Sequence, residues 1–240
     1  MSEIKKPRRR SKFYLLMGLV GLLAIFIGFS KPFIIPISLQ RFKAPASIYI
    51  HAAFSFAWVC LFTIQAFLIQ SKNYKVHMNL GILGVLISVG TSVTLIPVAK
   101  FIIVRDLKAG LGETAYSNSV GLLTTGIIFL LLVGFGLYYR KKIQLHKRLL
   151  LLATIVLLWP AWFRFRHFFP GVPKPDIWFG LVLADSLIVI SWFWDRVINK
   201  RIHPALLYCG IAIIMEQTFE VFLYDSNLWR VIGKSIYYTF

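Results

Sequence analysis

The chain has 240 residues, of which 58% are hydrophobic and only 15% charged. A soluble domain of this size carries roughly a quarter charged residues. The apolar residues also fall in long unbroken blocks, which excludes an ordinary soluble fold and points to a polytopic membrane protein. The formal charge of +18 would suggest nucleic acid in a soluble chain. Here the basic residues sit in short segments between apolar blocks, where orientation in a bilayer explains them and nucleic-acid binding does not.

The elements are expected in the following order. A basic segment over 1–12 precedes a first helix over 13–30, too long for a signal-peptide core and therefore read as an uncleaved span. Residues 31–48 contain Pro32, Pro36 and Pro45 and read as a surface loop. Further helices are predicted over 48–70, 77–98, 119–139, 147–167, 177–194 and 204–223. Residues 100–117, with Gly110 and Gly112, read as an exposed loop holding one short amphipathic helix. Residues 224–240 read as an external tail. The whole is a single transmembrane domain, an all-α bundle of seven transmembrane helices, each near the 20 or so residues a bilayer demands.

Charge sets the expected orientation. One alternate set of segments (1–12, 71–76, 140–148, 196–203) spans 35 residues and carries 16 of the 27 Lys and Arg. The other set (31–48, 100–117, 164–175, 224–240) spans 65 residues and carries the remaining 11. The positive-inside bias then places the N-terminus inside and the C-terminus outside.

Three groups of polar residues could carry chemistry. At the inner face, His77, His146 and His203 each open a helix, with Asp195 near the end of the sixth span. Three imidazoles and a carboxylate suit a divalent transition metal. Helix starts favour the neutral ring. The same residues, beside Lys75, Lys147, Arg148 and Arg201, equally suit an anion or an anionic lipid at the inner face, or plain headgroup contact. At the outer face, His51 and His167 sit at one depth on different helices, as bis-histidine heme ligation requires, with Arg164 and Arg166 beside them. A second heme would have to use the inner histidines. His146 and His167 are 21 residues apart, about 31 Å along a helix, too far for good electron transfer between two hemes.

The third group lies near the bilayer midplane. Asp185 and Glu216 fall at similar depth on adjacent antiparallel helices. Ionisable groups there are costly, face the bundle interior and default to a functional reading. Arg164 is the expected partner, with Glu220 one turn from Glu216 and Gln65 adding an uncharged polar group. The competing reading is a static ion pair locking the fifth, sixth and seventh helices. Pro160 should break the fifth helix near this level. Cys60 and Cys209 lie in apolar blocks and read as packing residues. No phosphate loop, zinc-protease motif or nucleophile elbow occurs, which argues against a nucleotide-driven pump or a standard hydrolase. No catalytic residue is assigned.

The segments His51-Ala-Ala-Phe-Ser-Phe-Ala-Trp58 with Gln65, Val76-His77-Met-Asn-Leu-Gly81, and His146-Lys-Arg-Leu-Leu-Leu-Leu-Ala-Thr154 continue with Asp185, Asp195 and His203-Pro204. Together they resemble a group of uncharacterised bacterial multi-spanning inner-membrane proteins. That resemblance implies a multi-pass protein of the bacterial inner membrane and no particular activity. The histidines near helix ends also resemble the pattern of diheme transmembrane b-type cytochromes, which would imply heme b. Three functional expectations follow: a polar-cored protein that binds or moves a small solute or protons, a histidine-rich protein holding heme or a transition metal, and a non-catalytic membrane subunit or assembly factor.

Overall fold

A computed structural model describes residues 7–239, and among them every regular element is helical. The elements are α1 (Pro7–Phe29), α2 (Ile35–Ser38), α3 (Ala46–Gln70), α4 (Tyr74–Val93), α5 (Leu95–Lys108), α6 (Thr114–Tyr138), α7 (Ile143–Leu157), α8 (Trp159–Phe163), α9 (Ala184–Asn199), α10 (Pro204–Leu223) and α11 (Asn227–Thr239). Seven stretches are long and apolar enough to cross a membrane: Lys12–Ser38, Ala46–Gln70, Tyr74–Lys108, Thr114–Tyr138, Ile143–His167, Asp176–Asn199 and Pro204–Leu223. The first six residues of the basic N-terminal segment lie outside the described residues.

The fifth span is the centre of the bundle. Its most apolar stretch is 61% buried, against 22–44% for the other six. Leu149, Leu151, Leu152, Ala153, Ile155, Val156 and Leu158 are all buried there. Trp58 of α3 closes over this helix, stacking edge-on against Phe129 at 4.8 Å and donating its Nε1–H to Thr154 Oγ1 at 3.2 Å. The most buried helix of a bundle lacks the lipid-facing stripe of its neighbours, because packed side chains surround it on every side.

Three segments expected to lie outside the spans hold helix. Ser30–Ile34 forms a π-turn and Ile35–Ser38 a short helix, so the first span runs on through Ser38. Pro36 sits at the start of that helix, where its missing N–H costs nothing. The third span does not stop at residue 98. It bends at Thr94 and continues as α5 to Lys108, with Leu95, Val98, Ala99, Ile103 and Asp106 turned inward. The bend puts Pro97 in a first helical turn, which tolerates it. The C-terminal tail is α11, an amphipathic helix laid across α6, with Gly233 pressed on the Tyr116 carbonyl and Lys234 Nζ 3.2 Å from Glu113 Oε1. At Gly233 a Cβ would strike that backbone oxygen, so the crossing needs glycine.

The two ends of the bundle differ in chemistry. One carries the links 71–73, 139–142 and 200–203 and is named here for Arg148. The other carries the turns near 39–45, 109–113 and 168–175 and is named for Arg164.

Candidate functional site

The polar interior divides into separate groups. The first lies between α9, α10 and α6. Along α10, the buried stripe is Leu206, Gly210, Ile213 and Gln217, and Glu216 and Glu220 flank it, half-buried, on the side facing α6. There Glu220 rests on Gly121: a Cβ at that glycine would overlap the carboxylate. Glu216 reaches the Thr124 hydroxyl one turn along α6, whose proton is given to Gly121 O at 3.1 Å. The pairs 216–124 and 220–121 are what antiparallel helices at one register produce.

Asp185 completes the group from α9. It is 6% exposed, and neither carboxylate oxygen meets a protein hydrogen-bond donor. Its charge neighbour is Glu216, which in turn neighbours Glu220. Gln217, 4% exposed, leaves its Oε1 without a partner as well. The local backbone is irregular here: residues Asp176–Leu183 wind as a π-helix that becomes α-helical immediately before Asp185. Opposite it, the fifth span breaks at Leu158, restarts as α8 with Pro160 in its first turn, and tightens to a 3-10 turn over Arg164–His167. Gly180 of the π segment lies against the Trp159 ring. Two interrupted helices therefore face each other beside an unpartnered carboxylate. π segments and broken membrane helices recur at binding sites.

Arg164 does not join these acids. Its Nη1 donates to Pro160 O at 2.7 Å and its guanidinium stacks on Phe29 at 4.2 Å. Among the described residues it forms no ion pair, and its charge neighbours are Arg166 and Arg105. The expected single core of Arg164, Asp185, Glu216, Glu220 and Gln65 is thus split: the three acids meet, whereas Arg164 lies with other cations. Gln65 stands elsewhere again, donating to His77 O at 3.1 Å.

The second group was not anticipated as a unit. Arg148, 2% exposed, grips Asp195, 4% exposed, through both carboxylate oxygens. Its Nη1 also donates to Gln144 O and Gln144 Oε1 at 2.7 and 2.8 Å. Asp195 further accepts from Asn199 Nδ2 and from the His203 backbone N–H at 2.8 Å. This network ties α7, α9 and the start of α10 together. Asp195, expected as a metal or anion ligand, is consumed by it. The signal that could have found Arg148 is depth: it lies one turn into the fifth span, level with Asp195 at the end of the sixth.

The histidines are placed as follows. His51 uses both ring nitrogens, on Thr94 Oγ1 at 2.9 Å and Ser55 Oγ at 3.3 Å. His167 is exposed beside Arg166, Arg164 and Lys31. His146 Nδ1 meets Gly136 O at 2.7 Å. His77 is its charge neighbour and keeps a buried, unpartnered Nδ1. His203 caps α10, its Nδ1 accepting from Ala205 N at 3.2 Å; burial, and then the Arg148 charge, push its pKa below the ordinary 6.5. His77 and His146 thus come near each other, while His203 serves a different network. Among the described residues no group of three or more His, Cys, Asp or Glu side chains could hold a metal ion.

No protein-family model, no curated protein and no solved structure matches this chain. The likeness to bacterial inner-membrane proteins therefore rests on the quoted motifs alone. The described residues form seven apolar helices compatible with an integral, multi-pass membrane protein.

Proposed function

We propose that the chain is a membrane protein that binds protons at the Asp185–Glu216–Glu220 cluster and couples that binding to the movement of a small solute or of protons themselves. The observation that carries the reading is Asp185, buried with both oxygens unpartnered and a second carboxylate beside it. Three carboxylates so placed cannot all stay charged away from water, because each desolvated charge costs several kcal/mol without a partner. Among the described residues no arginine forms an ion pair with them, and no group of three or more His, Cys, Asp or Glu could hold a metal ion. A shared proton is the remaining counter-charge, and a group that must carry a proton is suited to exchanging one.

The surrounding fold supports movement at this place. The π segment of the sixth span and the break in the fifth lie on the same side of the bundle, where backbone can shift without breaking a regular helix. The Arg148–Asp195 network fastens the opposite end of the same helices. Such an arrangement lets the Arg164 end rock while the Arg148 end holds. The basic-residue asymmetry favours the Arg148 end facing the cytoplasm of a bacterial cell, where its Lys141, Lys142 and His203 would meet anionic lipid.

The test is proton movement in liposomes carrying the purified protein and an internal pH-sensitive dye. The wild type is expected to speed dissipation of an imposed pH gradient in the presence of its solute or on its own. Asp185→Asn should insert and fold yet abolish the effect. A variant that folds and keeps full proton movement would refute the role of Asp185.

A further inference from the structure

The cations at the Arg164 end lack a counter-charge of their own. Arg164, Arg166 and Lys31 come from the first and fifth spans, with His167 beside them. None of the ion pairs among the described residues involves any of them. Asp106, whose partner Arg105 is a charge neighbour of Arg164, is already engaged by Arg105 at 2.8 Å and by Asn118 Nδ2 at 2.7 Å.

Each head group is instead held by an aromatic face and one backbone carbonyl. Arg164 stacks on Phe29 at 4.2 Å and donates to Pro160 O. Arg166 stacks on Phe163 at 3.8 Å and donates to Phe163 O at 3.1 Å. Lys31 sits over Phe168 at 4.4 Å and donates to His167 O at 3.0 Å. Ring faces attract and orient a cation without neutralising it. A guanidinium has five N–H donors, and one bond each leaves both forks largely free. Like charges gathered at the membrane boundary repel, so their convergence carries a cost that no ion pair among the described residues offsets.

We propose that this end of the bundle is a binding site for a phosphate-type oxyanion, held by Arg164, Arg166 and Lys31. Two planar forks and an ammonium match the oxygens of a phosphate group, which accepts several hydrogen bonds and carries the missing charge. His51 has both ring nitrogens engaged by Thr94 and Ser55 and contributes no contact. The site stands independently of the carboxylate cluster and of its proposed proton chemistry. Its phosphate comes from a lipid headgroup of the adjoining leaflet or from a dissolved phosphate compound.

The experiment uses the full-length protein and follows thermal unfolding by tryptophan fluorescence. One arm titrates inorganic phosphate against chloride at equal ionic strength in a zwitterionic detergent. The other compares nanodiscs of phosphatidylcholine with nanodiscs containing phosphatidylglycerol. Stabilisation by inorganic phosphate supports a dissolved anion, and stabilisation by phosphatidylglycerol alone supports the lipid headgroup. In whichever arm responds, Arg166→Gln and Lys31→Gln should each weaken apparent affinity by about 10-fold or more, the effect of losing one charge-assisted bond. Arg164→Lys serves in place of a neutral variant that would fail to fold. In the inorganic phosphate arm, Lys141→Gln, at the opposite end, should respond as wild type. The proposal is overturned if neither phosphate nor phosphatidylglycerol stabilises the wild type beyond its control, or if Arg166→Gln and Lys31→Gln respond undiminished.

Discussion

Replacing Arg148 by Met should be among the most damaging single changes in the chain. Met keeps the length of the stem and fills its volume, so the perturbation is almost purely the loss of the head group. Four hydrogen bonds go with it: two to Asp195 and two to Gln144. Asp195 keeps only the Asn199 amide and the His203 N–H, both neutral, at 4% exposure. Stranding one member of a buried pair costs about 3–5 kcal/mol. For a chain of this length that corresponds to a melting point lower by roughly 10 °C. Arg148→Lys keeps the charge and loses the fork, and should fall between the two. The double variant Arg148→Met, Asp195→Leu removes both charges and should recover most of the loss. Reversible unfolding in mixed micelles with increasing dodecyl sulfate, followed by tryptophan fluorescence, reads these four proteins and the single variant Asp195→Leu. A cost below about 1 kcal/mol for Arg148→Met, or a double variant as unstable as the sum of the singles, would refute the network as the fastening of α7, α9 and α10.

Three further outcomes are expected. Gly121→Ala should destabilise the wild type by about 1–3 kcal/mol, the cost of overpacking, and should be nearly neutral in a Glu220→Ala background; additive effects would mean the two residues do not touch. His203 has a folded pKa below its ordinary value, so its contribution to stability is present above pH 6.5 and is lost as pH falls below it. His203→Asn keeps a side-chain cap without the titration, and its melting point should therefore fall less than the wild type's between pH 7.5 and 5.5; equal slopes would show that His203 does not titrate on unfolding. Reporter fusions at Phe240 should be active only in a periplasmic assay, and activity only in the cytoplasm would invert the orientation proposed from charge.

Much of the architecture was legible because a bilayer imposes a coarse code. An apolar block of about 20 residues must be a helix, and the seven spans follow from that. The limits were missed where amphipathic helix takes over from apolar helix. Leu95–Lys108 carries Lys100, Arg105, Asp106 and Lys108, and α11 carries Arg230 and Lys234, so hydropathy alone reads both as loop or tail. The candidate site was half legible. Depth along a helix can be counted, and it brought Asp185 and Glu216 to one level. Rotation about the helix axis cannot be counted across a break, and the interruption between Leu157 and Trp159 turns Arg164 away from the acids toward Phe29. Asp195 shows the same lesson in reverse: its partner is Arg148 and not a ring of histidines.

The most direct test of the central claim is the carboxylic-acid C=O band in the infrared spectrum of the protein in bilayers, recorded in H2O and D2O across neutral pH. The proposed function predicts such a band in the wild type at pH 7, shifted by deuteration, decreasing as pH is raised, and absent from the triple variant Asp185→Asn, Glu216→Gln, Glu220→Gln. A wild type with no protonated carboxyl band at pH 7, or a band that survives in the triple variant, would contradict a shared proton in this cluster.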